Sequence, residues 1–94
     1  MSDMERRLVR WTDSNGGHGW SALTWFLENA KPSQCESIGF VLHEDDEYIV
    51  LIQSLDYAGG DVPPGDVRHG DGFIAIPKAV ITEQFDVTVW PRSG

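Results

Sequence analysis

The chain has 94 residues, 40% of them hydrophobic and 11% aromatic, which is enough for one packed core and too few for two. A formal net charge of −8 sets it against phosphate backbones and anionic lipid, so direct nucleic-acid binding is not expected. No apolar run approaches the roughly 20 residues that span a bilayer, so no membrane partner is expected either.

The charged opening MSDMERRLVR lacks the apolar stretch of a signal peptide, and the expected location is the cytoplasm. A domain of this size is marginally stable alone, which makes a homo-oligomer the expected state. Residues 6–11 alternate Leu8 and Arg10 against Val9 and Trp11, as a first strand does. TDSNGGHGWS, residues 12–21, follows, and its three glycines fit two roles. They suit a turn at positive φ, and they leave backbone N–H groups open to an anion.

In residues 21–30 the spacing of Leu23, Phe26, Leu27 and Ala30 is the apolar stripe of a helix, expected to be buried against the sheet or across the open end of a barrel. Ser21 is placed to cap it, and Trp20 and Trp25 have the spacing of a hydrophobic staple. The positive end of the helix dipole would then face the glycine loop. Pro32 ends the helix. Cys35, the single cysteine, excludes an intramolecular disulfide; beside Gln34 and Glu36 it has no activating neighbour and reads as a structural, half-buried thiol.

Residues 36–55 predict a β-hairpin. Ile38, Phe40 and Leu42 share one face of its first strand, and Tyr48, Val50 and Ile52 one face of its second. HEDDE, residues 43–47, is the expected connection of four or five residues. Gly39 marks a bulge or a close backbone approach. Residues 56–72, with five glycines and two adjacent prolines, predict a long flexible loop. Residues 73–77 form a short strand, residues 78–81 a single helical turn, and residues 82–90 a last strand. The whole predicts a single domain over residues 1–94, mainly β with one helix. It is a small, partly open β-barrel of about five strands, with a two-layer α+β sandwich as the alternative.

VRWTDS…GW, CESIGFVLHEDDEYIVL and GDGFIAIPKAVI together resemble a group of short proteins encoded by bacteriophages and prophages. These share a V-x-W-x-D-S opening, a C-x-S-[VI]-G-[WF]-[LV] strand and a late G-x-[FM]-x-I-P element. The resemblance spans residues 9–81, and the layout is similar to SH3-like and Sm-like barrels. It implies a phage setting and a non-enzymatic role, and it supplies no catalytic residue.

Candidate site residues fall in two groups. Ser14, Asn15, Gly16, Gly17, His18 and Trp20, with Arg68 and His69 opposite, would form the walls of a site for an anionic, nucleotide-like small molecule. Glycine amides would meet the anion, and Trp20 would stack on a base. Glu44, Asp45, Asp46 and Glu47 would instead occupy a basic surface of a host protein. Asp66, His69 and Asp71 are a weaker acid–base or metal cluster, and the HEDDE carboxylates lack the spacing of a calcium loop. No catalytic Ser/His/Asp order or metal-ligand spacing is present, so no enzyme activity, metal or cofactor is expected. The expected function is a phage accessory binding protein, with counter-defence as one use. The alternatives are an acidic inhibitor of a host protein and a structural phage component.

Overall fold

The computed structural model of the chain describes residues 4–56, 67 and 69–87. Alternating and β-branched runs become strands β1 (Arg6–Asp13), β2 (Ser33–Glu44), β3 (Tyr48–Asp56), β4 (His69–Pro77) and β5 (Ile81–Asp86). A helix, α1 (Leu23–Asn29), interrupts the path from β1 to β2, and a 3-10 turn, Lys78–Val80, links β4 to β5. All five strands lie antiparallel in one sheet of order β4-β3-β2-β1-β5. The first four form a meander, and β5 returns to pair with β1. The sheet does not close, and the fold is the small, partly open barrel-like arrangement expected from the sequence.

Register decides which residues share a face, because directly opposed residues point the same way. Ser37 and Gln84 oppose Val9, Ile76 opposes Ile49, and Val41 and Ile74 oppose Leu51. This inner face holds the core: Val9, Ile49, Leu51 and Ile76 are fully buried, with Trp11, Val41, Ile74, Val80 and Ile81 packed around them. Burying each of the four contributes roughly 1.5–3 kcal/mol. Trp11 reconciles a large ring with this face by donating its Nε1 hydrogen to Ser37 Oγ at 3.0 Å.

The opposite face is also apolar. Leu8 lies against Ile38 and Phe85, and Ile52 against Phe40 and Phe73, forming a stripe across all five strands. Ile38, Phe73 and Phe85 on it are exposed. Ile38 and Phe40 thus share a face as expected, with Val50 and Ile52 beside them, but it is not the buried one. Leu42 is the extra residue at a register shift between Val41 and His43, a bulge that falls after Gly39 rather than at it, and it lines one cleft with Ile52 and Phe73 of this face. At Gly39 the feature is a close approach: a Cβ there would lie 2.8 Å from the Ile52 carbonyl oxygen.

Several predicted boundaries move. β1 continues to Asp13, because Trp11, Thr12 and Asp13 find partners in Cys35, Gln34 and Ser33. β2 reaches Glu44, so the hairpin connection is only Asp45–Glu47, shorter than predicted. Its closure comes from the Asp45 carboxylate, which accepts from the Glu47 and Tyr48 amides at 2.8 and 2.9 Å. The expected loop at 56–72 loses both ends to the sheet: Asp56 pairs with His69, Leu55 with Gly70 and Ser54 with Asp71. Residues 57–66 and 68 lie outside the described residues, as do 88–90 of the predicted last strand.

The helix departs furthest from expectation. α1 is seven residues long and buries none of them, so no second layer forms. Ala22, not Ser21, occupies the N-cap position and makes no side-chain cap bond. Trp20 is fully exposed, so the staple to Trp25 does not form. The physical reason is placement. The chain leaves at Asp13 and returns at Ser33, a directly opposed pair at the end of the β1–β2 ladder, and α1 lies in an excursion beyond that end.

Candidate functional site

The excursion between β1 and β2 is held by short polar links. Asp13 Oδ1 accepts from the Ser14 amide at 2.8 Å, and the Asn15 side chain donates to the Lys31 carbonyl at 3.2 Å, clipping the outgoing arm to the returning one. Asn29 donates back to the Trp25 carbonyl at 2.8 Å. Between arm and helix lies a cleft of about 190 Å3, with Asn15, Gly16, Gly17 and His18 on one wall and Trp25 and Phe26 on the other. The two rings meet edge to face, 5.4 Å apart at 89°.

The glycines of this wall are not equivalent. Gly19 sits at φ +116°, a conformation that side chains resist, and so is needed by the turn itself. Gly16 and Gly17 have no positive φ, and a Cβ at either would meet nothing within 4 Å. The chain's own packing therefore does not require a glycine at these two positions. Among the described residues, the amides of Gly16, Gly17 and Gly19 have no hydrogen-bond acceptor. The cleft is thus lined by glycines whose amides are not used by the chain's own hydrogen bonds, together with two aromatic rings.

Four of the expected ligand residues, Asn15 to His18, are brought together here. Ser14 and Trp20 do not line the cleft, and Arg68 lies outside the described residues. His69 begins β4 and lines a different cleft, of about 290 Å3, with Leu42, Ile52 and Phe73. The single site expected between the 14–21 and 66–72 segments is therefore two separate clefts, because two strands, β3 and β2, lie between β4 and β1 in the sheet. A two-turn helix with alanine at its cap also supplies no anion site, which corrects the dipole contribution expected near Ser21.

The acidic turn is used largely by the fold. Glu44 is bound by Arg7 Nη1 at 2.7 Å and by Lys78, and the Lys78 and Arg7 hydrogen bonds hold its carboxyl below the usual range. Asp45 takes His43 Nε2 at 2.8 Å together with the two turn amides, which lowers its pKa to about 2. Asp46 and Glu47 remain as the carboxylates of this turn with no ion pair among the described residues. A continuous acidic surface from Glu44 to Glu47 is not what the structure presents.

Of the weaker cluster, Asp66 lies outside the described residues; among those described, no three His, Cys, Asp or Glu side chains converge as metal ligands. Cys35 is free and half-buried, its Sγ 3.9 Å from the Ser33 carbonyl. No described helix is long and apolar enough to cross a membrane.

Sequence reasoning missed Trp25 and Phe26 as lining residues, assigning both to packing. The missed signal is helix length: two turns between glycine-rich and proline-bearing arms cannot carry a stripe far onto a sheet. It also missed Arg7, which joins Glu5, Glu44 and Gln84 at 2.6–2.9 Å and lies 3.7 Å from Asp86. That grouping exists only once register aligns three strands. Comparison with protein-family models, curated proteins and solved structures finds no match for this chain.

Proposed function

We propose that the chain is a non-enzymatic binding module, of phage type, that captures a small, anionic, nucleotide-like molecule in the cleft between Asn15–His18 and α1. The observation that carries this reading is the pair Gly16 and Gly17: glycines without a conformational or steric need within the chain, whose amides make no hydrogen bond among the described residues and which line one cleft with Trp25 and Phe26. Glycine there lets a ligand oxygen reach backbone donors, and an aromatic wall suits the face of a base. The absence of Lys or Arg among the lining residues assigns recognition of the anion to backbone N–H groups and His18. At about 190 Å3 the cleft is smaller than the ~300 Å3 lower bound for sites that enclose a drug-sized ligand. It therefore accommodates one planar fragment and leaves the remainder of the molecule outside. Sequestration of such a ligand fits a counter-defence role.

Calorimetric titration with mono-, di- and cyclic nucleotides tests this. Stacking is worth about 1–3 kcal/mol per base, so Trp25→Ala weakens binding roughly ten- to hundredfold. Its half-exposed ring makes no core contact, so the fold survives the change. If no nucleotide binds the wild-type protein, the reading fails.

A further inference from the structure

We infer that Asn15–Gly16 is a site of spontaneous covalent modification, where the Asn15 amide is lost through a succinimide and the clip between the two arms of the excursion opens. This chemistry needs a side-chain amide carbon, an uncommitted main-chain nitrogen one residue on, and no Cβ beside that nitrogen to crowd the approach. Asn15 and Gly16 are both exposed. The Gly16 amide makes no hydrogen bond among the described residues, so its nitrogen is tied to no carbonyl. Gly16 also has no side chain to press on that of Asn15. The Asn15 side chain is held by its Nδ2 hydrogen bond to the Lys31 carbonyl at 3.2 Å, the long end of the normal range. That bond engages the leaving nitrogen, not the carbon under attack.

The chain contains its own comparison. Asn29 is the second of two asparagines and is exposed as well. The amide that follows it, at Ala30, donates to the Phe26 carbonyl at 2.8 Å, and Ala30 carries a Cβ. Helical hydrogen bonding thus withholds the nitrogen that would attack Asn29, while Asn15 meets every requirement.

In the first step the Gly16 nitrogen bonds to Asn15 Cγ and gives up its hydrogen. The Cγ–Nδ2 bond breaks, and ammonia leaves. Water then opens the ring at Cγ, giving aspartate, or at the main-chain carbonyl, giving isoaspartate. One water is consumed and one ammonia released, with no change of oxidation state. Either product has a carboxylate where Nδ2 donated, and two oxygens that only accept cannot bond, so the link to Lys31 is lost. Isoaspartate also lengthens the main chain by one methylene ahead of Gly16 and Gly17. A new negative charge on the cleft wall repels an anion, so capture declines as the molecule ages. That last consequence rests on the reading of the cleft as an anion site; the modification does not.

The full chain is incubated at mildly alkaline pH in 18O-enriched water and mapped by mass spectrometry, with a synthetic peptide of residues 12–21 as the unstructured reference. Asn15 should gain 18O and yield isoaspartate at a rate within about tenfold of the peptide's, as an exposed segment of low local stability allows, while Asn29 stays intact. Gly16→Ala, whose Cβ crowds the attack, should slow the reaction about tenfold or more. In Asn15→Asp, the Lys31 and Ser33 amide resonances should move from their wild-type positions. A folded chain slower than the peptide by more than that tenfold margin, or equal reaction at Asn29, overturns the inference, and unmoved resonances overturn the opening of the clip. Nucleotide titration of fresh and aged protein tests the consequence: weaker binding by the aged chain supports it, and equal binding removes it. If fresh protein binds no nucleotide, the reading of the cleft fails, and the mass map still decides the modification.

Discussion

Replacing Gly39 by alanine tests the bend of the sheet at one atom. Gly39 has no positive φ, so alanine meets no backbone strain there, and the whole effect comes from space. The added Cβ lies 2.8 Å from the Ile52 carbonyl oxygen and 3.1 Å from Leu51 Cβ, against 3.4 Å for an ordinary contact. β2 and β3 must therefore part by about 0.6 Å beside the Phe40–Ile52 pair, where Leu51 already fills the core. Overpacking of this kind costs about 1–3 kcal/mol. The smaller conformational freedom of the unfolded alanine chain returns about 0.4–1 kcal/mol. A net loss of about 1–2 kcal/mol lowers the melting temperature by roughly 5–15 °C in a domain of this size. Urea denaturation followed by tryptophan fluorescence provides the free energy, and Gly16→Ala is the control, since open space and ordinary φ make it neutral or slightly stabilising. A Gly39→Ala protein as stable as wild type, with an unchanged urea slope, would refute the close approach.

Two further outcomes follow from the core and the charges. Ile49→Ala, at a fully buried position of a four-residue core, should cost about 2–5 kcal/mol by denaturation, against a total of roughly 5–14 kcal/mol for a chain this long. Stability should also fall in acid. Asp45 is lowered from 3.8 to about 2 by His43 and the turn amides; Glu5 and Glu44 are lowered from 4.5 by their Arg and Lys partners. A depressed carboxylate stabilises the fold above its unfolded pKa and loses that contribution as pH falls through the folded one. Melting temperatures should thus be level above about pH 5 and decline between roughly pH 4 and 2, with part of the decline absent in Asp45→Asn.

The strands were legible because alternation and β-branching mark them locally. Which face is buried was not. β3 reads Tyr-Ile-Val-Leu-Ile, apolar on both sides, so alternation cannot choose between Val50 with Ile52 and Ile49 with Leu51. Only the cross-strand partners Val41, Ile74 and Ile76 make that choice. The glycines at 70 and 72 were taken as loop residues, yet both lie in β4, where pairing with Leu55 and the strand beyond it outweighs local propensity. For the site, the glycine loop was visible as a motif, but the opposite wall was not. Trp25 and Phe26 look like core residues until the helix is seen to lie beyond the end of the sheet. The Arg7 cluster has no sequence signature at all, since Glu5, Glu44 and Gln84 come together only through register.

Amide shifts in a 1H–15N spectrum, recorded as a bound nucleotide is titrated into wild type and Gly17→Ala, separate a joint from a site. Gly17→Ala leaves the fold intact, because its Cβ meets nothing within 4 Å. With a ligand in the cleft, shifts should concentrate at Asn15 to Gly19 and at Trp25 and Phe26, leave Asp45 to Tyr48 unmoved, and weaken about tenfold or more in Gly17→Ala at unchanged melting temperature. Equal binding by both proteins, or shifts centred on the Asp45–Glu47 turn, would contradict a site built on the glycine loop.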